Sequence, residues 1–238
     1  MSQHPKPIWS EWWSQVRTWR NECTPVLPRY YKQAEVHPYA FMRMLSNQLP
    51  ENAIIVTDCG GNQVVAAHSI ETKKGQTWFT NNGNSPMGFS LCGAMGAHYA
   101  APDRPVICII GDGGMQVNIQ ELQTIKHNNV PIKVVLLNNG IYGITSQYQR
   151  TNFEDRQIGS GSILNPGDYS TPDFYKIAKG YGLTNYSICT TNESVRPHVG
   201  WLLNLKTCGI LEVSCPGFSE YLPRISGHTS IDRMEEPR

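Results

Sequence analysis

An open parallel β-sheet with helices on both faces is the fold that the sequence predicts, and three features predict it. Short β-rich apolar runs alternate with helical patterns over most of the chain. Two of these runs, residues 106–110 and 132–137, show almost no polar alternation, which is typical of strands covered on both faces. Gly-rich turns follow several runs where a strand passes into a helix. The predicted class is therefore α/β.

The individual elements follow from local patterns. Trp9, Trp12, Trp13 and Trp19 lie at helical spacing, which predicts an aromatic helix face that packs on the domain or on a partner. Helices are predicted at residues 8–23, 38–48, 62–70, 88–99, 119–126, 172–181 and 193–205. Strands are predicted at residues 53–57, 78–80, 106–110, 132–137, 186–189 and 210–214.

Composition excludes several classes of function. The chain has 238 residues, and its 20 basic and 19 acidic side chains leave a net charge of +1. No basic block compensates for that balance, so no nucleic-acid partner is expected. The apolar runs are too short to span a bilayer, so no membrane partner is expected either. Seven cysteines without C-x-x-C spacing, and no signal-peptide pattern, predict reduced core thiols in a cytoplasmic protein.

Three regions are predicted along the chain. Residues 1–36 form a Trp-rich helical linker, and residues 37–216 form the α/β domain. Within that domain, residues 150–171 are polar and rich in Gly, which predicts a mobile loop. Residues 217–238 show no periodicity and are interpreted as a C-terminal tail.

Two strand ends carry the candidate chemistry. Asp112 follows the strand at residues 106–110, and Asn139 follows the strand at residues 132–137. Because a right-handed crossover makes these strands parallel, both residues are expected at the same sheet edge, where ligands of such sheets bind. A carboxylate and an amide oxygen suit Mg²⁺, which takes further ligands from phosphates. The small Gly113 and Gly114 would admit a phosphate to the backbone, and the next helix offers N–H groups.

A dinucleotide site and a purely structural turn are the alternatives. Gly111 and Gly113 begin a dinucleotide fingerprint, but position 116 is Gln, where that fingerprint has Gly. The charge of Asp112 would also repel a bare pyrophosphate unless a cation lay between them. A Mg²⁺–diphosphate site is therefore the favoured hypothesis.

Gly111-Asp112-Gly113 followed by Asn138-Asn139 resembles the thiamine diphosphate motif of the pyruvate oxidase and acetolactate synthase superfamily. Further segments resemble acetolactate synthase large subunits, and the similarity covers nearly the whole chain. These segments lie at residues 86–89, 102–105, 118–122, 131–135, 137–140 and 172–174. The resemblance is to the C-terminal third of those enzymes and implies a parallel α/β fold of the diphosphate-binding type.

The resemblance also implies roles for individual residues. Asp112, Asn139 and the backbone carbonyl of Ile141 would bind Mg²⁺, and Met87 would bend the cofactor into its reactive conformation. The residues implied in binding the cofactor are Cys59, Gly60, Gly61, Asn62, Ser85, Met87, Asp112, Gly113, Gly114, Asn139, Ile141, Tyr142, Gly143 and Ile144. The family usually has Gln-His where this chain has Gly61-Asn62, so backbone contacts are expected there. Core packing is the alternative for Met87.

Two departures from the family affect the functional hypothesis. Tyr148 replaces a Trp that lines the acceptor pocket, so the acceptor cannot be inferred. The pyrimidine-binding domain, with the Glu that activates the cofactor, is not found in the sequence, and neither is the domain that binds FAD in many members. FAD is therefore not expected on this chain. A partner chain is expected to supply the Glu, within a heterotetramer of two copies of each chain. The sequence is interpreted as a natural half of a split enzyme, with a cloned fragment as the alternative.

The predicted reaction is decarboxylation of a 2-oxo acid, with pyruvate as the first candidate, and transfer of the resulting acyl carbanion to an acceptor. The enzymatic alternative is simple decarboxylation, as in two-subunit sulfopyruvate decarboxylases. The alternative from another class is a cofactor-binding module without turnover.

Overall fold

The computed structural model describes residues 9–161, 167–225 and 234–235. A six-stranded, all-parallel sheet organises them, in the order β2-β1-β3-β4-β6-β5. Its strands are β1 Ile54–Thr57, β2 Thr77–Phe79, β3 Val106–Gly111, β4 Lys133–Asn138, β5 Tyr186–Cys189 and β6 Gly209–Ser214. Two short strands, β7 Arg224–Ile225 and β8 Met234–Glu235, form a separate antiparallel pair. The predicted parallel α/β sheet is confirmed.

Helices cover both faces of the sheet. They are α1 Trp9–Glu22, α2 Pro38–Gln48, α3 Gly61–Ser69, α4 Phe89–Ala100, α5 Asp112–Val117, α6 Glu121–His127, α7 Gly143–Asn152, α8 Phe174–Gly180 and α9 Val195–Asn204. Short 3-10 helices occupy Pro28–Lys32 and Asn192–Ser194. Helices α2, α3 and α9 pack on one face of the sheet, and α4, α6 and α8 pack on the other.

Each face of the sheet has its own hydrophobic core, and alternate residues of a strand contribute to the two cores. In β3, Ile107 and Ile109 belong to the core with α2, whereas Cys108 and Ile110 belong to the core with α4. Since side chains of a strand point alternately to opposite faces, a strand buried on both faces is mostly apolar on both. This explains why the unbroken apolar run of β3 was a reliable strand signal.

The structure differs from the sequence predictions in two regions. The predicted loop over residues 150–171 is shorter at its start, because α7 continues to Asn152. Residues 162–166 of that loop, and residues 226–233 and 236–238 of the tail, lie outside the described residues. Helix α1 forms as predicted, but none of its residues is buried. Its aromatic face therefore does not pack on the described part of the domain. No helix in the described ranges is long and apolar enough to cross a bilayer.

Candidate cofactor-binding site

A cleft opens at the carboxyl edge of the sheet, beyond the ends of β1, β3, β4 and β6. It contains about 760 Å³ of space, including the solvent at its mouth. The structure brings most of the predicted site residues together along its walls. These are Cys59, Gly60, Gly61, Asn62, Met87, Asp112, Gly113, Gly114, Asn139, Ile141, Tyr142, Gly143 and Ile144.

Two predicted residues do not line the cleft. Ser85 has φ of 44°, and its side chain hydrogen-bonds that of Cys59, which does line the cleft. Tyr148 lies on the outer side of α7, where 57% of it is exposed and its ring contacts Phe153. Its role in lining the acceptor pocket therefore remains a prediction.

Other lining residues were not predicted. They are Pro38, Val65, Gly111, Leu137, Thr145, Cys215, Phe218 and Tyr221. Gly111 ends β3 and Leu137 is the last residue but one of β4, so both could have been found from the positions of the strand ends. Cys215, Phe218 and Tyr221 belong to the stretch after β6, which has no periodic pattern, so only the three-dimensional structure places it on the cleft.

Asp112 links the two central strand ends. It follows β3 directly, and 3% of its surface is exposed. Its Oδ1 accepts a hydrogen bond from the backbone N–H of Gly113 at 2.9 Å, and its Oδ2 accepts one from Gly140, beyond β4, at 2.9 Å. Burial raises the pKa of Asp112 to about 6, although these bonds and one from the Tyr169 hydroxyl oppose the rise. A cation beside the carboxylate would favour its charged form.

Asn139 presents its amide to the same part of the cleft. Its Nδ2 donates to the carbonyl oxygen of Phe218 at 2.7 Å. Among the described residues, its Oδ1 accepts only a long bond of 3.4 Å from the backbone N–H of Ile141. The amide orientation is thus set by the tail, and the oxygen keeps capacity for a further ligand.

Two helix N-termini converge on the cleft. Helix α3 begins at Gly61 and α7 begins at Gly143, and both residues line the walls. The first N–H groups of a helix have no partner within it, and the helix dipole favours a negative charge there. A phosphorylated ligand therefore suits this end of the cleft.

Asn62 provides a second sign that a ligand belongs in the cleft. It is 7% exposed, and its Nδ2 donates to the carbonyl oxygen of Cys59 at 2.6 Å. Among the described residues, its Oδ1 has no hydrogen-bond partner. Buried polar atoms are rarely left unpaired, so an ion, a water molecule or a ligand is expected to supply a donor.

At four glycines of the cleft, another side chain of the protein occupies the space that a Cβ would need. A Cβ at Gly61 or Gly143 would overlap the Tyr221 hydroxyl, and one at Gly114 would overlap the Asp58 carboxylate. A Cβ at Gly113 would lie 2.8 Å from Cε of Met87. The expectation that Gly113 and Gly114 are small only to admit a phosphate is therefore incomplete. Their side-chain positions face protein atoms, and the N–H of Gly113 already donates to Oδ1 of Asp112.

Parallel strands, two helix N-termini, the buried Asp112 and the partly buried Asn139 meet at one sheet edge, an arrangement that suits a phosphorylated ligand. Comparison with known proteins specifies the family. Residues 58–213 match the family described as thiamine pyrophosphate enzyme, C-terminal TPP binding domain. The chain therefore belongs to this family, as the C-terminal thiamine diphosphate-binding domain of the acetolactate synthase type.

The relatives include three acetolactate synthase large subunits. The isozyme 2 large subunit of Escherichia coli (strain K12) is 31% identical over 224 residues, which is 92% of this chain and 39% of the relative. The large subunit of Pyropia yezoensis is 33% identical over 78% of this chain and 30% of the relative. A probable large subunit of Methanococcus aeolicus is 33% identical over 77% of this chain and 30% of the relative. The chain thus spans about a third of the length of these relatives.

Proposed function

We propose that this chain binds the diphosphate of thiamine diphosphate through Mg²⁺, within an acetolactate synthase-like enzyme. The enzyme decarboxylates a 2-oxo acid, with pyruvate as the first candidate, and transfers the acyl carbanion to an acceptor. One observation carries the proposal. The buried carboxylate of Asp112 and the amide of Asn139 lie at one sheet edge, beside two helix N-termini and within a family that binds this cofactor.

The residues present fit the cofactor. Asp112, Asn139 and the carbonyl of Ile141 would hold the cation, since Mg²⁺ takes few protein oxygens and completes its shell with phosphate and water. Backbone N–H groups at Gly61 and Gly143 would bind the diphosphate. When bound, thiamine diphosphate stabilises the carbanion that forms as CO₂ leaves. Met87 would lie under its rings and hold them in the reactive conformation.

A partner completes the proposed enzyme. The chain spans about a third of its relatives' length, and its matched residues are those of a C-terminal TPP binding domain, whereas the resemblance places the activating Glu in a pyrimidine-binding domain. We infer that a second chain with a pyrimidine-binding domain supplies this Glu, in an assembly of two copies of each chain. Active sites would then lie at the interface between chains.

Calorimetric titration with thiamine diphosphate and Mg²⁺ tests the site. Asp112→Ala should weaken binding by about 100-fold, because even changes outside the ligand shell of a metal cost about 10–100-fold in affinity. Asp103→Ala is the matched control, because Asp103 is an exposed carboxylate in a surface turn. Equal affinity in the Asp112 variant and the wild type would contradict the assignment.

Product analysis of the assembled enzyme tests the reaction. With a panel of 2-oxo acids, CO₂ release accompanied by a larger 2-hydroxy-3-oxo product indicates transfer to an acceptor. CO₂ release with only the aldehyde indicates simple decarboxylation. Cofactor binding with no CO₂ release from any of the acids would favour the alternative, a cofactor-binding module without turnover.

A further inference from the structure

We propose that Asp58 is a positioning residue that sets Met87 against the rings of the cofactor. The inference rests on the proposed function, because it concerns the same cleft. It starts from a carboxylate that does not line the cleft but is bonded to the loop that presents Met87.

Both carboxylate oxygens of Asp58 are used by this loop. Asp58 directly follows β1 and is 2% exposed. Its Oδ2 accepts a hydrogen bond from the backbone N–H of Gly88 at 3.0 Å. Its Oδ1 accepts one from the backbone N–H of Ser90 at 2.9 Å. The carboxylate therefore caps the N-terminus of α4 from a neighbouring strand, at the place where the helix dipole favours a negative charge.

The cap fixes the backbone on the carboxyl side of Met87. The N–H of Gly88 belongs to the peptide unit that joins Met87 to Gly88, so Asp58 sets the orientation of that unit. Gly88 has φ of 85°, a conformation that other residues rarely adopt. Its carbonyl oxygen accepts a hydrogen bond from Nδ2 of Asn118 at 3.1 Å. Gly88 is thus held from two sides, and Met87 can shift only if these bonds change.

The same carboxylate contacts other walls of the cleft. Asp58 precedes Cys59 and the turn that leads into α3. It also packs so closely on Gly114 that a Cβ there would overlap its Oδ2. Met87 in turn reaches over Gly113, with its Cε 2.8 Å from the position of a Cβ. One side chain therefore couples the turn after β1, the Met87 loop and the start of α5.

A helix cap with no further role would affect stability alone. The two roles can be separated with two ligands that share the diphosphate but differ in the rings. Thiamine diphosphate would contact Met87, whereas inorganic pyrophosphate would reach only the cation and the helix N-termini. A residue that acts through Met87 must affect the first ligand selectively.

The experiment measures the affinity of the full chain for both ligands in the presence of Mg²⁺. In Asp58→Asn, one oxygen becomes an amide that cannot accept a backbone N–H. We expect about tenfold weaker binding of thiamine diphosphate, as for one lost charged hydrogen bond. Binding of pyrophosphate should stay within about twofold of the wild type. Asp173→Asn is the control, because Asp173 caps α8 by accepting from the N–H of Lys176 at 2.9 Å, on the surface.

A double-mutant cycle tests whether Asp58 affects cofactor binding through Met87. Met87→Ala should also weaken thiamine diphosphate selectively, and adding Asp58→Asn to it should cause little further loss. If Asp58→Asn does not fold, Asn118→Ala releases Gly88 from the other side and should give the same selective loss. Equal losses for both ligands, or losses that simply add in the double variant, would overturn the proposal. A wild-type chain that binds neither ligand would instead refute the proposed function.

Discussion

Tyr221 explains, at the scale of single residues, why two positions of the cleft are glycine. Its side chain is 4% exposed, and its hydroxyl contacts Gly61 at the start of α3 and Gly143 at the start of α7. The two contacts differ. A Cβ built on Gly61 would overlap two ring carbons of Tyr221 nearly as closely as its oxygen. A Cβ built on Gly143 would overlap the oxygen alone, because the next nearest atoms, Nδ2 of Asn139 and the carbonyl oxygen of Phe218, lie 3.0 Å away. A methyl group at either position therefore meets the same tyrosine in a different way.

Gly61→Ala and Gly143→Ala should each destabilise the fold by about 1–3 kcal/mol, the usual cost of overpacking. Tyr221→Phe removes the oxygen but leaves the ring. It should therefore recover much of the loss in the Gly143 variant and little in the Gly61 variant. Chemical denaturation of the single and double variants measures this. Equal recovery at both positions would show that the tyrosine contacts are not the cause.

His37 should make stability depend on pH in a defined window. Its ring stacks on Tyr30 at 3.6 Å between centroids, and its Nδ1 has no hydrogen-bond partner among the described residues. Burial and the nearby charge of Arg29 lower its pKa from 6.5 to about 4. The unfolded chain therefore takes up a proton that the folded chain resists. Stability is retained above pH 6.5 and is lost as the pH falls from 6.5 to 4, by at most about 3 kcal/mol.

The measurement is the free energy of unfolding as a function of pH. His37→Phe keeps an aromatic ring that cannot titrate, so its slope between pH 6.5 and 4 should be smaller than that of the wild type. The difference isolates His37 from the carboxylates that titrate in both proteins. Identical slopes would show that His37 can take up its proton within the fold.

At the scale of elements, burial decides what the sequence can predict. Strands β3 and β4 were predicted within about one residue, because both are covered on both faces and carry apolar side chains over their central positions. Helix α7 was not predicted, because its residues are mostly polar and its apolar spacing is weak. Tertiary contacts hold it instead, including a buried hydrogen bond between Ser146 and Gln157 at 2.5 Å.

The candidate site divides in the same way. Asp112 and Asn139 could be predicted, because strand ends, parallel topology and cation chemistry together place them at one edge. The wall formed after β6 could not be predicted. It is fixed by bonds to distant residues, such as the N–H of Gly217 to the carbonyl oxygen of Asn139 at 2.8 Å, and Arg150 to that of Ser219 at 3.0 Å. No local pattern encodes such bonds.

Helix α1 should contribute little to stability despite its four tryptophans. Trp9, Trp12, Trp13 and Trp19 are 47–58% exposed. Trp13→Gln should therefore change the free energy of unfolding by less than about 0.5 kcal/mol, as is usual at surface positions. Phe41→Ala, in the fully buried face of α2, should cost about 3–5 kcal/mol. A large loss in the Trp13 variant would indicate that α1 packs on the domain.

For the whole molecule, the exposed tryptophans predict association. Exposed aromatic patches usually mark interfaces, so the isolated chain should self-associate until the proposed partner binds. Trp9→Gln/Trp12→Gln/Trp13→Gln should shift sedimentation toward the monomer, whereas Tyr99→Gln, at a residue of α4 that is 61% exposed, should not. Unchanged association in the triple variant would place the contact surface elsewhere.

If a partner chain supplies the activating Glu, cofactor binding and catalytic turnover should have different requirements. The chain alone should bind thiamine diphosphate and Mg²⁺ but release no CO₂ from pyruvate, because the activating carboxylate would come from the other chain. Steady-state CO₂ release by the purified single chain, at the rate of the mixed complex, would require that carboxylate within these 238 residues.

The strand order has a consequence for biosynthesis. Strand β6 is the last of the large sheet to be made, yet it lies between β4 and β5. Until Gly209–Ser214 leaves the ribosome, β5 has no neighbour in the sheet and one edge of β4 stays open. Unpaired strand edges promote aggregation of incomplete chains. Products that stop before Gly209 should therefore accumulate as insoluble material, and the synthesis of β6 should decide the yield of native protein.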